Sequence, residues 1–295
     1  MPIHFVTAKT ILTPRSMNIY RGCTHGCIYC DSRSKCYQFT HDFEDIEVKQ
    51  NAPQLLEETL RKKRKRCMIG TGAMCDPYIP LEKELGLMRR CLEIIDRYNF
   101  GVTPQTKSDL ILRDLDLLSS INRKAKAVVQ MTLTTADDQL CRKIEPAVCP
   151  TSRRVEVLQA CHQAGIPTVV WFSPLLPFIN DTKENVEAIV DLCASANVHS
   201  IICFGIGVTM REGNREYFYD ALDKLAARDP DFIGMKERYQ KTYGYSYGLN
   251  SPRNNELMHY LAKLCRQHNI QLGTDSVFKW MEEFPDTDPL QPELF

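Results

Sequence analysis

Between residues 17 and 204 short apolar runs alternate with amphipathic segments, and this order constrains the fold more than any other feature of the chain. The apolar runs are Met17–Tyr20, Cys67–Gly70, Phe100–Thr103, Ala127–Thr132, Pro167–Phe172 and Ser200–Phe204, each of strand length. Between them, helical faces are legible in Leu55, Leu56 and Leu60, in Leu85, Met88, Leu92 and Ile95, in Val155, Leu158 and Cys161, and in Val186, Ile189, Val190 and Cys193. A further helical segment is expected near 109–122, and Asp181 with Glu184 reads as an N-terminal capping pair for the helix at 182–196. Six strands separated by helices demand crossover connections, so the sheet is parallel and the class is α/β. The pattern alone leaves open whether the sheet is flat or curved into a partial barrel. In either case the loops after the strands share one end, and their polar residues have to be read together.

The loop after the first strand is Cys23-Thr24-His25-Gly26-Cys27-Ile28-Tyr29-Cys30. It has no apolar period and therefore no core to build. Three thiols at C-x3-C-x2-C spacing suit a soft metal or an iron–sulfur cluster, and Gly22 and Gly26 let the backbone bend around it. A four-iron cluster held by three cysteines keeps one iron open, whereas a structural zinc closes with four ligands. The competing reading is a zinc loop with Cys36 or His25 as the fourth ligand, in a protein that is not an enzyme.

Composition narrows the field. The 295 residues are 43% hydrophobic, ample for a sizeable core, and Lys+Arg and Asp+Glu both total 37, so no net field recruits nucleic acid or an anionic membrane. The basic string Lys62-Lys63-Arg64-Lys65-Arg66 reads as the solvated end of a helix. The 13 cysteines are odd in number and scattered through predicted strands and helices, as expected of free thiols in a reducing compartment. No stretch approaches a membrane span and Met1–His4 lacks the features of a secretion signal, so the expected location is cytoplasmic. The seven histidines show no metal-binding pair, and neither a G-x-S-x-G elbow nor a G-x4-G-K-[ST] loop is present.

Tyr20-Arg21-Gly22-Cys23-Thr24-His25-Gly26-Cys27-Ile28-Tyr29-Cys30 resembles the cluster loop of the radical S-adenosylmethionine (SAM) enzymes, and within them the spore photoproduct lyase-like branch. The resemblance extends over roughly residues 16 to 210. It implies a partial (β/α)6 barrel of radical SAM type spanning 1–210, followed by a helical C-terminal extension at 211–295. It implies two cofactors, a 4Fe–4S cluster on Cys23, Cys27 and Cys30 and SAM chelating the open iron, with Tyr29 against the adenine. An external one-electron donor of flavodoxin or ferredoxin type is implied as well.

Further segments carry the same likeness. Cys75-Asp76-Pro77-Tyr78 with Pro80 and Glu82 resembles the family's Ser/Thr-Asp-Pro-Tyr-x-Pro-x-Glu stretch near the methionyl end of SAM. Cys75 departs from it, and is either a small replacement for the hydroxyl or a hydrogen donor to a radical. Tyr78 is a second candidate for a catalytic role. Thr106-Lys107-Ser108 with Arg113-Asp114 resembles a stretch in which Lys107 pairs with the SAM carboxylate and Ser108 hydrogen-bonds it, although Ser108 also suits a helix N-cap. Thr132 and Thr134 offer hydroxyls to SAM, Glu145-Pro146 with Arg153 or Arg154 offers a guanidinium, and Asn180 lies in a loop expected near the adenosine. The implied activity is reductive cleavage of SAM and hydrogen abstraction from a substrate, with damaged nucleic acid the first candidate and a small molecule, peptide or RNA the alternative. The Tyr- and Gly-rich stretch Tyr239–Gly248 is expected to be a loop, and the tail Glu283–Phe295 to be loosely ordered.

Overall fold

The computed structural model describes residues 2–284, so all of the tail but its first two residues lies outside the described residues. Six strands run parallel in sequence order: β1 (Ser16–Met17), β2 (Met68–Thr71), β3 (Gly101–Thr106), β4 (Val129–Thr132), β5 (Thr168–Trp171) and β6 (Ser200–Ile202). Each pairs in parallel with the next, as in Met68↔Gly101 and Val129↔Thr168. The crossovers contain α1 (Ala52–Lys62), α2 (Leu87–Arg97), α3 (Leu115–Lys124), α4 (Thr151–Gln163) and α5 (Lys183–Ser195). Their apolar faces, among them Leu56, Leu92, Leu118, Leu158 and Ile189, bury against the outward side of the sheet in the largest core. The architecture is the α/β partial barrel expected, with a largely helical C-terminal part.

Several local expectations are corrected. The first predicted strand divides: Ser16–Met17 joins the large sheet, whereas Tyr20–Arg21 turns away into a three-stranded sheet with Ile46–Lys49 and Ile3–Val6. The segment near 109 begins as a 3-10 turn at Asp109–Asp114 before α3. Thr182, not Asp181, caps α5 by accepting from the Asn185 amide, because Asp181 is occupied by the Phe178 amide and the Ser251 hydroxyl.

Beyond β6 the chain forms a two-stranded ribbon, β7 (Gly207–Thr209) with β8 (Gly248–Asn250), around α6 (Asn214–Ala226) and α7 (Met235–Tyr243). Helix α7 takes in the first half of the Tyr/Gly stretch expected to be a loop; Tyr239 is fully buried, whereas Tyr245 and Tyr247 beyond the helix are exposed. After α8 (Asn254–Gln267), the strand β9 (Gln271–Leu272) adds to β6 at the edge of the large sheet. Helix α9 (Thr274–Glu282) then packs Val277 and Met281 against Met68, Val169 and Ile202 from β2, β5 and β6 and against Val128, the residue preceding β4. No helix of the described residues is long and apolar enough to cross a membrane.

Candidate active site

Parallel pairing of β1 to β6 brings the loops after the strands to one end. The cysteine loop lies there because Gly22, with φ +88°, turns the chain where a Cβ would stand 2.6 Å from the Phe43 carbonyl oxygen. The Cys23 amide donates to that same oxygen at 3.1 Å. On its other side the loop is tied to the segment after β4, by Ile28 N to Ile144 O at 3.0 Å and Ala147 N to His25 O at 3.1 Å. Cys23, Cys27 and Cys30 are free thiols that line one cavity with Tyr29, Cys75, Asp76, Gln105, Lys107 and Thr132.

Among the described residues, three ligand atoms lie within 4.8 Å of one another only at His4, His41 and Asp45, so at least one pair of the three thiols stands wider than that. A tetrahedral zinc with Zn–S bonds near 2.3 Å draws its sulfurs to about 3.8 Å apart. Three thiols set wider than that are suited to a multi-iron cluster, which spans a wider gap. The two proposed fourth ligands are engaged elsewhere: the exposed Cys36 thiol accepts from Arg211 at 3.5 Å, and His25 Nδ1 lies 3.7 Å from the Asp76 carboxylate.

The thiols are electrostatically unequal. Cys23 is drawn down to about 6, first by a hydrogen bond with Cys75 and then, against burial, by His25. Burial pushes Cys27 and Cys30 up. Cys75 donates to the Gly22 carbonyl at 2.6 Å and is raised by its contact with Cys23 and by burial. Lys107 answers these charges. Burial works to lower it, but Cys27 and Glu145 prevail and hold it above its ordinary value, with its ammonium 5.8 Å from the Tyr29 ring centre. A cation so placed favours thiolate over thiol and would equally attract a carboxylate.

Asp76 organises the rim. One carboxylate oxygen accepts from the Tyr78 amide at 2.8 Å and the Thr106 hydroxyl at 2.7 Å, and the other accepts from the Lys107 amide at 2.8 Å. These bonds join the loop after β2 to the end of β3. Behind the cysteine loop, Tyr29 donates its hydroxyl to Glu145, which pairs with Arg154 at 2.6 Å. Arg154 is fully buried, and also donates to the carbonyls of Thr132 at 3.0 Å and Cys149 at 2.8 Å.

The cavity thus gathers Cys23, Cys27, Cys30, Tyr29, Cys75, Asp76, Lys107 and Thr132, and leaves out five of the expected residues. Ser108 caps the turn after β3, accepting from Leu110 at 3.2 Å. Tyr78 is fully buried, and lines a separate cavity with Pro80, Lys83 and Arg113. Thr134 is fully buried, Arg154 braces Glu145, and Asn180 is spent on the Leu176 amide and the Thr134 carbonyl at 2.8 Å. Arg153, the other arginine considered, pairs with Asp109 and Glu156 at the surface.

Sequence reasoning missed the opposite wall. A second cavity, of about 460 Å³, continues from Tyr29, Lys107 and Thr132 to Trp171, Phe204 and the β7–β8 ribbon. Phe204 is 62% exposed, with its ring 5.6 Å from Trp171. Gln105 lines both cavities and a third in the barrel interior, and among the described residues its side-chain amide has no hydrogen-bond partner. Its place two residues after Thr103 on an alternating strand was the available signal.

Comparison with known proteins agrees with this arrangement. The family model described as Radical SAM superfamily matches residues 17–193. An uncharacterized protein of Mycobacterium tuberculosis is 26% identical over 239 residues, covering 77% of this chain and 66% of that protein. One of Methanocaldococcus jannaschii is 30% identical over 169 residues, 57% of this chain and 62% of the relative. The chain thus spans somewhat under two thirds of the length of these relatives. Among solved structures, a spore photoproduct lyase mutant with bound AdoMet and dinucleoside spore photoproduct superposes with a TM-score of 0.66 at 13% identity, covering 92% of this chain and 81% of that one. A radical S-adenosylmethionine methyltransferase from Kitasatospora setae, with tryptophan substrate and a SAM analog bound, gives 0.58 at 14% identity, covering 88% and 54%. At these identities the likeness is one of fold.

Proposed function

Since the chain belongs to the radical SAM superfamily, we propose that it is an enzyme that cleaves SAM reductively at the cavity bounded by Cys23, Cys27 and Cys30 and abstracts a hydrogen atom from a substrate held against Trp171 and Phe204. The observation that carries this reading is the convergence of three free thiols, Lys107 and Thr132 on one cavity at the strand ends. Its cofactors are a 4Fe–4S cluster and SAM. When bound they supply one-electron chemistry, in which reduction of the sulfonium releases methionine and a 5'-deoxyadenosyl radical.

The chain's own residues do the rest. Cys23, Cys27 and Cys30 hold the cluster, and Lys107 meets the SAM carboxylate with its charge. Tyr29, anchored by Glu145, presents its ring to the adenine, and Thr132 offers a hydroxyl. Asp76 holds the Lys107 backbone in place. Cys75, bonded to the Gly22 carbonyl, shapes the loop and is not the hydrogen donor in this reading. Tyr78 acts through packing, and Arg154 acts on Tyr29 through Glu145. The division near residue 210 into a barrel core and an extension is retained, supported by a second apolar cluster built largely from residues 208–249. A reducing compartment such as the cytoplasm suits thiols that are all free, and the electron would come from a flavodoxin- or ferredoxin-like protein.

A lyase acting on damaged nucleic acid is the substrate reading favoured by fold likeness, which is weak warrant for a substrate. One observation favours a substrate recognised without phosphate contacts. The basic string 62–66 precedes β2, at the opposite end of the parallel strands from the cysteine loop. Salt-dependent binding of ultraviolet-damaged DNA would support the first reading, since phosphate contacts weaken steeply with salt.

The primary test is anaerobic reconstitution with iron and sulfide, followed by SAM and a strong reductant. We expect 5'-deoxyadenosine from the wild-type chain and none from Cys27→Ala. Intact SAM in the presence of a full, reducible cluster would overturn the enzyme reading.

A further inference from the structure

The three-stranded sheet beside the cysteine loop carries a cluster that the radical chemistry does not use. Strand Ile3–Val6 pairs in parallel with Ile46–Lys49, setting His4 opposite Glu47, and Tyr20–Arg21 sets Arg21 opposite Glu47 from the other side. The loop leading into Ile46–Lys49 folds over this face, bringing His41 and Asp45 to it. His4 Nε2 lies 4.0 Å from the Asp45 carboxylate, the two imidazole rings are 5.1 Å apart, and one ligand atom each of His4, His41 and Asp45 lies within 4.8 Å of the others. The histidines are 37 positions apart in sequence, so no spacing rule could pair them.

The bonding of His41 calls for a cation. Its Nδ1 is 2.9 Å from the Asp42 carbonyl oxygen and its Nε2 is 2.8 Å from a Glu47 carboxylate oxygen. Both partners only accept, while a neutral imidazole has a single N–H. One ring nitrogen therefore aims a lone pair at an oxygen unless a proton or a metal ion intervenes. Arg21 donates to that same Glu47 oxygen at 3.2 Å, which does not supply the His41 ring with a second N–H. A proton alone would satisfy His41. His4 and Asp45, 4.0 Å from each other, add two further ligand atoms within 4.8 Å of that of His41. The Asp42 carbonyl is the kind of outer partner that fixes the tautomer and orientation of a metal-bound histidine.

We propose that His4, His41 and Asp45 form a mononuclear site for a zinc-class divalent cation, separate from the cysteine loop. Two imidazoles and one carboxylate are a borderline donor set suited to Zn2+, with water or Glu47 completing four-coordination. The site acts as a staple. It joins the N-terminal strand to the loop whose Phe43 carbonyl receives the Cys23 amide, so an ion bound there braces the wall of the cluster loop from outside.

The test uses tag-free, cluster-loaded protein, so that the three thiols are occupied. After incubation with Zn2+ and desalting, we expect one zinc retained per chain in addition to the iron. Co2+ in its place is expected to give weak visible d–d bands without intense thiolate charge-transfer absorption. His4→Ala and the isosteric Asp45→Asn should each weaken Zn2+ binding at least tenfold while leaving iron content, and the melting temperature in EDTA, unchanged. The proposal is overturned if no zinc is retained, if both variants bind as the parent does, or if cobalt shows thiolate ligation. It is overturned equally if His41 titrates as a simple imidazolium that added Zn2+ does not perturb. None of these outcomes depends on whether SAM is cleaved.

Discussion

Glu145 shows how much a single buried side chain can be asked to do. It receives the Tyr29 hydroxyl and pairs with Arg154, and neither member of the ion pair is exposed. Burial pushes its carboxyl up, but Arg154, Lys107 and the Tyr29 hydroxyl outweigh that push and hold it below its ordinary value of 4.5. A depressed carboxyl contributes stability that is complete above its unfolded value and lost as pH falls through the folded one. We therefore expect the wild-type chain to lose stability below pH 4.5. Glu145→Gln should be about 3 kcal/mol less stable at neutral pH, because it strands a buried guanidinium, and should show a flatter acid limb. Chemical denaturation at a series of pH values would check both. At this scale the thiols, Asp76 and Lys107 were legible because each sits in a short run of chemistry-bearing residues just past a strand. Glu145 and Arg154 were legible as residues but not in role, since only the fold reveals that the guanidinium faces a carboxylate and not a ligand.

The elements were easier to find than to delimit. Five of the six barrel strands lie within a few residues of their apolar runs, because a strand covered by helices must be apolar along its length. The first strand divides because Gly22 and the pairing of Tyr20 with Val48 draw the chain away from the large sheet, a contact no local pattern encodes. Helix α9 is the larger surprise. It lies against residues of β2, β5 and β6, and the Thr103 hydroxyl of β3 reaches the Met281 sulfur at 3.7 Å. His199 stacks on Trp280 with ring centres 3.7 Å apart. Met281 is 3% exposed, so Met281→Ala should cost about 2–3 kcal/mol, read as a lowered denaturation midpoint with unchanged slope. A normal midpoint would mean that α9 is not part of the cooperative unit.

At the scale of the whole molecule, the cysteine loop lies between two cores. Its polar side faces the barrel mouth, while Cys27, Ile28 and Tyr29 pack with Phe218, Tyr239 and Leu249 from the part of the chain beyond β6. The Tyr239 hydroxyl donates to the Pro177 carbonyl at 2.6 Å, linking that part to the loop after β5. Tyr239→Ala should accordingly cost about 3–5 kcal/mol and lower the iron retained per chain after reconstitution. Unchanged iron in a destabilised variant would show that the loop is held by the barrel alone.

By itself the sequence determined the α/β class, the order of strands and helices, and the identity of the three thiols, because hydrophobic period and ligand spacing are local properties of the chain. Only the tertiary structure decided which polar residues share the cavity. Ser108 became a cap, Tyr78 a core residue and Arg154 a brace, while Gln105, Trp171 and Phe204 came forward. The physical reason is that a side chain's role depends on partners brought to it from distant segments. The same reason joins His4 to His41 through a strand pairing that neither residue's neighbours announce.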